Sequence, residues 1–388
     1  MGPLAGLKVV ELGGIGPAPF CCMLLSDLGA DIVRIDRIVA SDSGIPMEKR
    51  FNLLHRGRKS VAMDLKNPAA VAAVKRLVAD AHILIEGFRP GVAERLGLGP
   101  DDCFAANPAI VYGRMTGYGQ DGPLAQAPGH DINYIALSGV LHSIGEKGGA
   151  PVPPLNLAGD FGGGALYLAL GVLAALWEAR ASGKGQVVDA AMIDGSASLM
   201  ALFYGLRGAG LVSDERGSNR LDGGTPWYGT YETRDGGYVA VGSNEPRFYR
   251  ETLKLLGLDD AGFDDQKDRG KWPEIRARFA EVFRTRDRDE WCRLAEGREV
   301  CITPVLSLGE APDHPQNAQR RTFVMLDDVV QPAPAPRFSR TRAEIRRGPA
   351  DVGEHTIEAL GEWGFSPDEI AKLQAEGAVA QRGAGEGR

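Results

Sequence analysis

The hydrophobic pattern at the start of the chain, "LKVVELGGIGPAPFCCMLLSDLGADIVRID" (7–36), is a short apolar run, a glycine-rich turn, apolar residues at helical spacing, and a second apolar run. Continuous apolar runs of this length, bounded by turn residues, read as strands buried on both faces; the stretch between them has the period of a helix. The pattern predicts a strand over 8–12, a helix over about 19–28 and a strand over 31–35. It then repeats, with strands in "KSVAMDL" (59–65), "HILIEG" (82–87) and "AIVYGRMTG" (109–117) and a helix over 68–80. Strands alternating with helices are joined by crossovers, so they form a parallel sheet covered on both faces.

The pattern changes after about Gly195. "WYGTYETRDGGYVAVGS" (227–243) alternates like an antiparallel hairpin with Asp-Gly-Gly at its turn, and helical segments follow from Arg247 to about Ala295. The expected organisation is a large α/β domain over 1–195, completed by a C-terminal segment over 320–380, a linker over 196–222 and a small α+β domain over 223–319. "QPAPAPRFSRT" (331–341) reads as an extended strap. "SPDEIAKLQAEG" (366–377) reads as a last helix with Ser366 as N-cap, Pro367 at the first position and Gly377 at the end. Residues 381–388 are expected to be disordered. The apolar run 165–177 is too short to span a bilayer and reads as a buried helix.

Composition narrows the class. At 388 residues, 44% hydrophobic and 24% charged, the chain can bury the cores of two domains. A net charge of −7 argues against a general nucleic-acid binder, which needs a basic face. The five cysteines (21, 22, 103, 292 and 301) form no CxxC pair and read as small apolar residues of a reducing compartment. No basic flank and apolar core mark a signal peptide, so a cytoplasmic protein that engages neither membrane nor nucleic acid is expected.

The first glycine turn invites comparison with a dinucleotide-binding fingerprint, but "GIGPAP" puts Pro19 where the third glycine belongs, and a plain β-α turn is the better reading. "KRFNLLHRGRK" (49–59) holds five Lys/Arg and no acid; it is either a solvated loop or a site for several phosphates. Arg37, Lys66, Arg89 and Arg95 stand at strand ends or just beyond, where ligands of open α/β sheets bind. The six histidines show no HxH or HExxH spacing, so no metal site is expected, and no GxSxG elbow is present. On the residues alone, Asp131 in "GHDINY" and Asp160 in "NLAGDFGGG" read as helix caps.

Eight blocks in series resemble the family III CoA-transferases, and within them the α-methylacyl-CoA racemase branch: the 7–36 stretch above, "MDLKNP", "LIEGFRPGVAERLGLG", "YGRMTGYGQDGP", "GHDINYIALSGVL", "NLAGDFGGG", "ASGKGQVVDAAMIDG" and "CITPVLSLGEAPDHPQ". They run from residue 7 to about 316. The resemblance implies a Rossmann-like large domain with a parallel sheet, a smaller α+β domain, and an intertwined homodimer with its active site between chains. It implies an acyl-CoA substrate, whose CoA part is met by Arg37, by Met63, Asp64, Leu65 and Lys66, by Gly87, Phe88 and Arg89, by Arg95, and by Gly129, Asp131, Ile132, Asn133 and Tyr134. No separate cofactor is implied, because CoA is part of the substrate.

Racemising the α-carbon of a thioester requires two bases on opposite faces and donors for the enolate oxygen. His130 fits one base and Asp160 the other. The resemblance places Glu245, in "VGSNEPRFY", behind His130 and gives Asn156 an orienting role. In the transferases a carboxylate matching Asp160 is the acylated nucleophile, and no histidine is needed at 130. The expected activity is therefore epimerisation of 2-methylacyl-CoA thioesters, with CoA transfer as the alternative and a non-catalytic CoA-binding role behind both.

Overall fold

A computed structural model describes residues 2–39 and 45–382, so residues 383–388 of the expected tail lie outside the described residues. Among the described residues the strands are β1 (Lys8–Leu12), β2 (Asp31–Arg37), β3 (Lys59–Met63), β4 (Ile83–Glu86), β5 (Val111–Thr116), β6 (Val187–Ala191), β7 (Tyr228–Glu232), β8 (Tyr238–Gly242), β9 (Ile302–Pro304), β10 (Phe323–Leu326), β11 (Val329–Pro332) and β12 (Val379–Ala380). The helix between β1 and β2 starts at Pro17, two residues before the expected start, because proline presets the first helical φ and gives up an N–H that has no partner there. The helix Pro68–Asp80 matches its expected bounds, capped by the Asn67 side chain, which accepts from Ala69 N–H.

The chain forms two compact units: Met1–Ser138 with Leu155–Leu199 and Gln316–Arg388, and Gly139–Pro154 with Met200–Pro315. This differs from the expected division, which kept 139–154 in the large domain and made 196–222 a linker. The reason is local bonding: the Arg216 guanidinium donates to His142 O at 2.8 Å and to Gly149 O at 2.7 Å, joining these two segments. Ala201–Gly208 is a helix rather than a spacer.

In the first unit one sheet runs in the order β12-β3-β2-β1-β4-β5-β6. All neighbours are parallel except the β12–β3 pair. Val10 stands opposite Val33 on one side and Leu84 on the other. The chain winds outward from β1 to β3 and then returns to place β4 against the other side of β1. The order reverses there, which opens a crevice at the carboxyl ends of β1 and β4. Successive strand residues enter opposite layers: Val10, Val33 and Leu84 pack with the helix 68–80 and the C-terminal Leu360 and Trp363. Val9, Ile32 and Ile83 pack with helices 17–27 and 166–182.

The helix expected to be buried around 165–177 is longer and barer. The helical stretch Leu157–Ser182 is long and apolar enough to cross a membrane by length and composition, yet only 33% of its most apolar window is buried. Leu168, Val172, Leu176 and Ala179 face the sheet, while Leu166, Leu170 and Trp177 are exposed. Its apolar residues encircle the axis, so a single sheet cannot cover them all.

The second unit is built on the antiparallel β7–β8–β9 sheet, with the hairpin register Glu232↔Tyr238 closing around the Thr233–Gly237 turn. Its core is aromatic, with Tyr231 stacked on Phe283 at 5.1 Å and Trp227 edge-on to Tyr249 at 4.9 Å.

The basic run 49–59 is not a loose loop, because ion pairs hold it to other segments. Lys49 pairs with Glu354 and Asp351, Arg56 with Asp27, Arg58 with Glu11, and Lys59 with Glu358 and Glu362. Arg56 also donates to Gln331 Oε1 and Pro332 O, both at 2.8 Å. Four of its five cations are paired with carboxylates of other segments, which ties this stretch to the sheet and to the returning C-terminal segment, and Arg56 and Arg58 are buried.

Candidate active site

A cavity of about 540 Å³ lies in the first unit beyond the carboxyl ends of β1, β4 and β5. Its floor is the turn Ile15–Pro17 after β1, Gly87–Pro90 after β4 and Met115–Tyr118 at the end of β5, and its wall carries Gly129, His130, Asn133, Tyr134 and Asp160. It occupies the topological switch point of the sheet, the place where the strand order leaves an opening.

His130 is exposed and forms the N-cap of the helix Asp131–Leu137; its N–H donates to Asn133 Oδ1 at 3.0 Å. The N-cap expected at Asp131 is thus moved back by one residue. The physical reason lies in Asp131 itself, which is 4% exposed and turns away from its own helix. Its Oδ2 accepts from Gly159 N–H at 2.6 Å and Asp160 N–H at 2.7 Å.

Those two N–H groups belong to a π-helical stretch, Leu157–Ala165, which runs directly into the helix Leu166–Ser182. Such wide turns recur at functional sites. Asp160 is half-buried here, and Asn156 Nδ2 donates to its Oδ2 at 3.1 Å. Burial raises the Asp160 carboxyl above its ordinary range; the Asn156 hydrogen bond opposes this, the Asp131 charge adds to it, and a positive His130 lowers it.

Glycines make the close packing possible. A Cβ on Gly117 would lie 2.1 Å from the Tyr134 ring, so the space belongs to that tyrosine, whose hydroxyl donates to Gly129 O and whose ring meets Tyr118 edge-on at 4.9 Å. A Cβ on Gly195 would fall 1.8 Å from Gly163 O, which joins the helix Met192–Leu199 to the π-helical turn backbone to backbone. Gly195→Ala must push these elements apart. It is expected to destabilise the protein by about 1–3 kcal/mol, read as a lower midpoint in denaturant; an unchanged midpoint would show that the turn yields without cost.

The turn that carries Phe88 and Arg89 is held from both ends. Glu86, fully buried, accepts from Phe88 N–H at 2.6 Å and from Arg114 Nε at 2.9 Å, while Arg114 Nη1 donates to Glu94 at 2.8 Å. Burial pushes the Glu86 carboxyl up to about 7 against the pull of these donors. Glu86 and Arg114 do not stand out in the sequence, and the glycine turn after β1, expected to be a plain β-α turn, supplies Ile15–Pro17 to the cavity. The signal was present: an acid directly before "GFR" at a strand end, opposite a strand-borne arginine.

Residues 4–356 match the profile of CoA-transferase family III. The chain belongs to CoA-transferase family III. Two relatives in Mus musculus and Homo sapiens, each named alpha-methylacyl-CoA racemase, are 45% identical over 376 residues and 43% identical over 378 residues; each alignment covers 96% of both chains. The solved structure of a CAIB/BAIF family protein from Brucella suis superposes with a TM-score of 0.80 at 25% identity, covering 93% of this chain and 99% of that one.

Within this family III chain, Gly87, Phe88, Arg89, Gly129, His130, Asn133, Tyr134 and Asp160 line one cavity. Arg37 ends β2 with its side chain exposed, and Asp64 and Lys66 form a turn beyond β3 in which Asp64 Oδ1 accepts from Lys66 N–H at 3.0 Å. Arg95 is exposed at the end of the short helix Val92–Arg95, and Ile132 is exposed in the first turn of its own helix. Two expectations need correction. The Met63 side chain is in the hydrophobic core, because β12 covers the outer edge of β3, and Leu65 packs against the same core. The Asp131 carboxylate is buried, and its Oδ2 accepts from the backbone of residues 159 and 160. Neither Met63 nor Asp131 can offer its side chain to a ligand. Glu245 belongs to the second unit, where it precedes the helix Pro246–Leu256 without capping it through its side chain.

Proposed function

We propose that the chain is an epimerase that interconverts (R)- and (S)-2-methylacyl-CoA thioesters by 1,1-proton transfer at the α-carbon. The observation that carries this reading is the cavity at the switch point, in which an exposed imidazole and a half-buried carboxyl stand in the same wall. The relatives named alpha-methylacyl-CoA racemase support it.

An α-proton next to a thioester is weakly acidic, and its removal leaves an enolate. One base must take the proton from one face while a protonated partner delivers another to the opposite face. A histidine titrates near neutral pH without help. A carboxyl raised by burial moves towards the same range, and Asp160 is such a group. The enolate oxygen needs donors in place beforehand. The N–H groups of Gly159 and Asp160 are already taken by Asp131, but those of Asp131 and Ile132, in the first turn of the helix, have no acceptor among the described residues. We assign them to the thioester oxygen.

CoA would lie along the carboxyl edge of the sheet. From β4 to β3 the edge spans three strand spacings, about 14 Å, with Arg89 at one end, Arg37 in the middle and the Asp64–Lys66 turn at the other. Met63 and Asp131 would contribute main chain only. Glu245 is retained, on the resemblance, as the carboxylate for the free nitrogen of His130. The homodimer belongs to the same reading, and the bare apolar residues Leu166, Leu170 and Trp177 support a covered face there. No cofactor is invoked. A reducing, cytoplasmic setting fits five cysteines that are all free thiols.

The test is incubation of the protein with a single enantiomer of a 2-methylacyl-CoA in D2O. Deuterium at the α-carbon together with the inverted configuration is the expected result. No exchange, but transfer of CoA to an added carboxylic acid, would make Asp160 the acylated nucleophile of a transferase.

A further inference from the structure

We propose that Asp131 is the positioning residue of the proton-transfer pair, its carboxylate locking the peptide that bears Asp160 to the residue that follows His130. The proposal rests on the reading in which those two groups are the bases.

An acid in the first turn of a helix ordinarily serves that helix. Asp131 does not. The helix Asp131–Leu137 takes His130 as its N-cap, with Asn133 closing the box by accepting from His130 N–H. The Asp131 carboxylate instead spans to another element, where a single oxygen accepts both the Gly159 and the Asp160 N–H. The side chain is 4% exposed, so these bonds form away from water. Gly159 is shaped for the contact: a Cβ there would lie 2.4 Å from Asp131 Oδ2. The other oxygen, Oδ1, is buried and has no partner among the described residues. One carboxylate therefore sets the position of Asp160 relative to its chain neighbour His130.

Two consequences follow. The first is geometric, since a displacement of about 1 Å at a reacting group costs roughly a hundredfold in rate. The second is electrostatic. Among the described residues, Asp131 faces Asp160 from the helix 131–137, His130 from its N-cap, Asn156 from its own segment, and Tyr134 is a further titratable neighbour; Gly16, from the turn after β1, brings no charge. Asp131 is the nearby acid, and a like charge beside a carboxyl holds its proton on.

Asp131→Asn separates the two consequences from simple damage. The amide oxygen can still accept both N–H groups, and its NH2 takes the place of the unpartnered oxygen, so shape is kept and charge is removed. The expected result is a kcat for racemisation lowered about tenfold, KM for acyl-CoA within about twofold of the parent, and the Asp160 limb of the kcat/KM–pH profile moved to lower pH in both directions of reaction. Asp131→Ala, which also loses the bonds, should fall about a further tenfold. Parental kcat and an unmoved limb in Asp131→Asn would overturn the proposal. So would a loss of kcat matched by an equal loss of CoA binding with the limb unmoved, which would mark a structural role only. If the parent protein itself exchanges no α-proton in D2O, the epimerase reading falls first and this proposal with it, whatever the variants do.

Discussion

Replacing His130 by alanine lowers α-proton exchange and racemisation by about 10²–10⁴-fold, the range in which a positioned acid–base group contributes. CoA binding survives. His130 is exposed, and the half of its cap formed by its main-chain N–H and the Asn133 side chain does not need the imidazole. Asp160→Asn should lose racemisation by a similar factor, because the Asn156 contact can persist while the ionisable group is gone. Chiral analysis of product and CoA affinity by calorimetry, run on the same preparations, check both variants. Turnover within a few-fold of the parent in either variant would remove that residue from the pair. A loss of CoA binding in both would mean that the cavity wall holds the ligand rather than acts on it.

Arg58→Ala is expected to destabilise the first unit by about 3–5 kcal/mol, the usual result of stranding one member of a buried ion pair. Arg58 and Glu11 are both fully buried, joined at 2.8 Å, and Arg58 also donates to Pro19 O at 2.9 Å. Burial raises the Glu11 carboxyl, and Arg58 is the largest influence opposing that rise. Without it, Glu11 must either take up a proton or remain charged with Arg34 as its next cation. Denaturant unfolding checks this. The paired replacement Glu11→Met with Arg58→Leu should recover much of the loss, since two apolar groups of similar size leave no unpaired charge. A cost below about 1 kcal/mol for the single change would mean that water reaches the pair. Arg56 is engaged in the same way, against Asp27 at 2.5 Å, so these two cations of the basic run serve the fold.

Some positions could be read directly from the chain. Val9, Val10, Ile32 and Val33 are buried whichever face they take, since helices cover both sides of a parallel sheet; an unbroken apolar run is the mark of that environment. The helix 68–80 and the Ser366-capped last helix begin where expected, through effects confined to a few neighbouring residues. His130 and Asp160 were legible through the motifs that contain them, and they do line one cavity.

Other assignments failed for a shared reason. Asp131 has the local credentials of an N-cap, yet its acceptors are wanted 28 and 29 residues further on. Met63 stands in a block that resembles a CoA-binding turn, but β12, arriving more than 300 residues later, buries it. The segment 139–154 follows a first-unit helix and joins the second unit because Arg216 holds it there.

By itself, then, the sequence determined the kinds and order of the elements, the double-covered parallel sheet and the residues able to move a proton. Hydrophobic period, capping and turn chemistry act over a few residues and leave their mark locally. Only the tertiary structure decided which charges are staples, which acid holds Asp160 in place, and which strands meet at the switch point. Those outcomes depend on burial and on bonds between distant segments, where desolvation decides whether a charged side chain is free to bind a ligand or is already held by the fold.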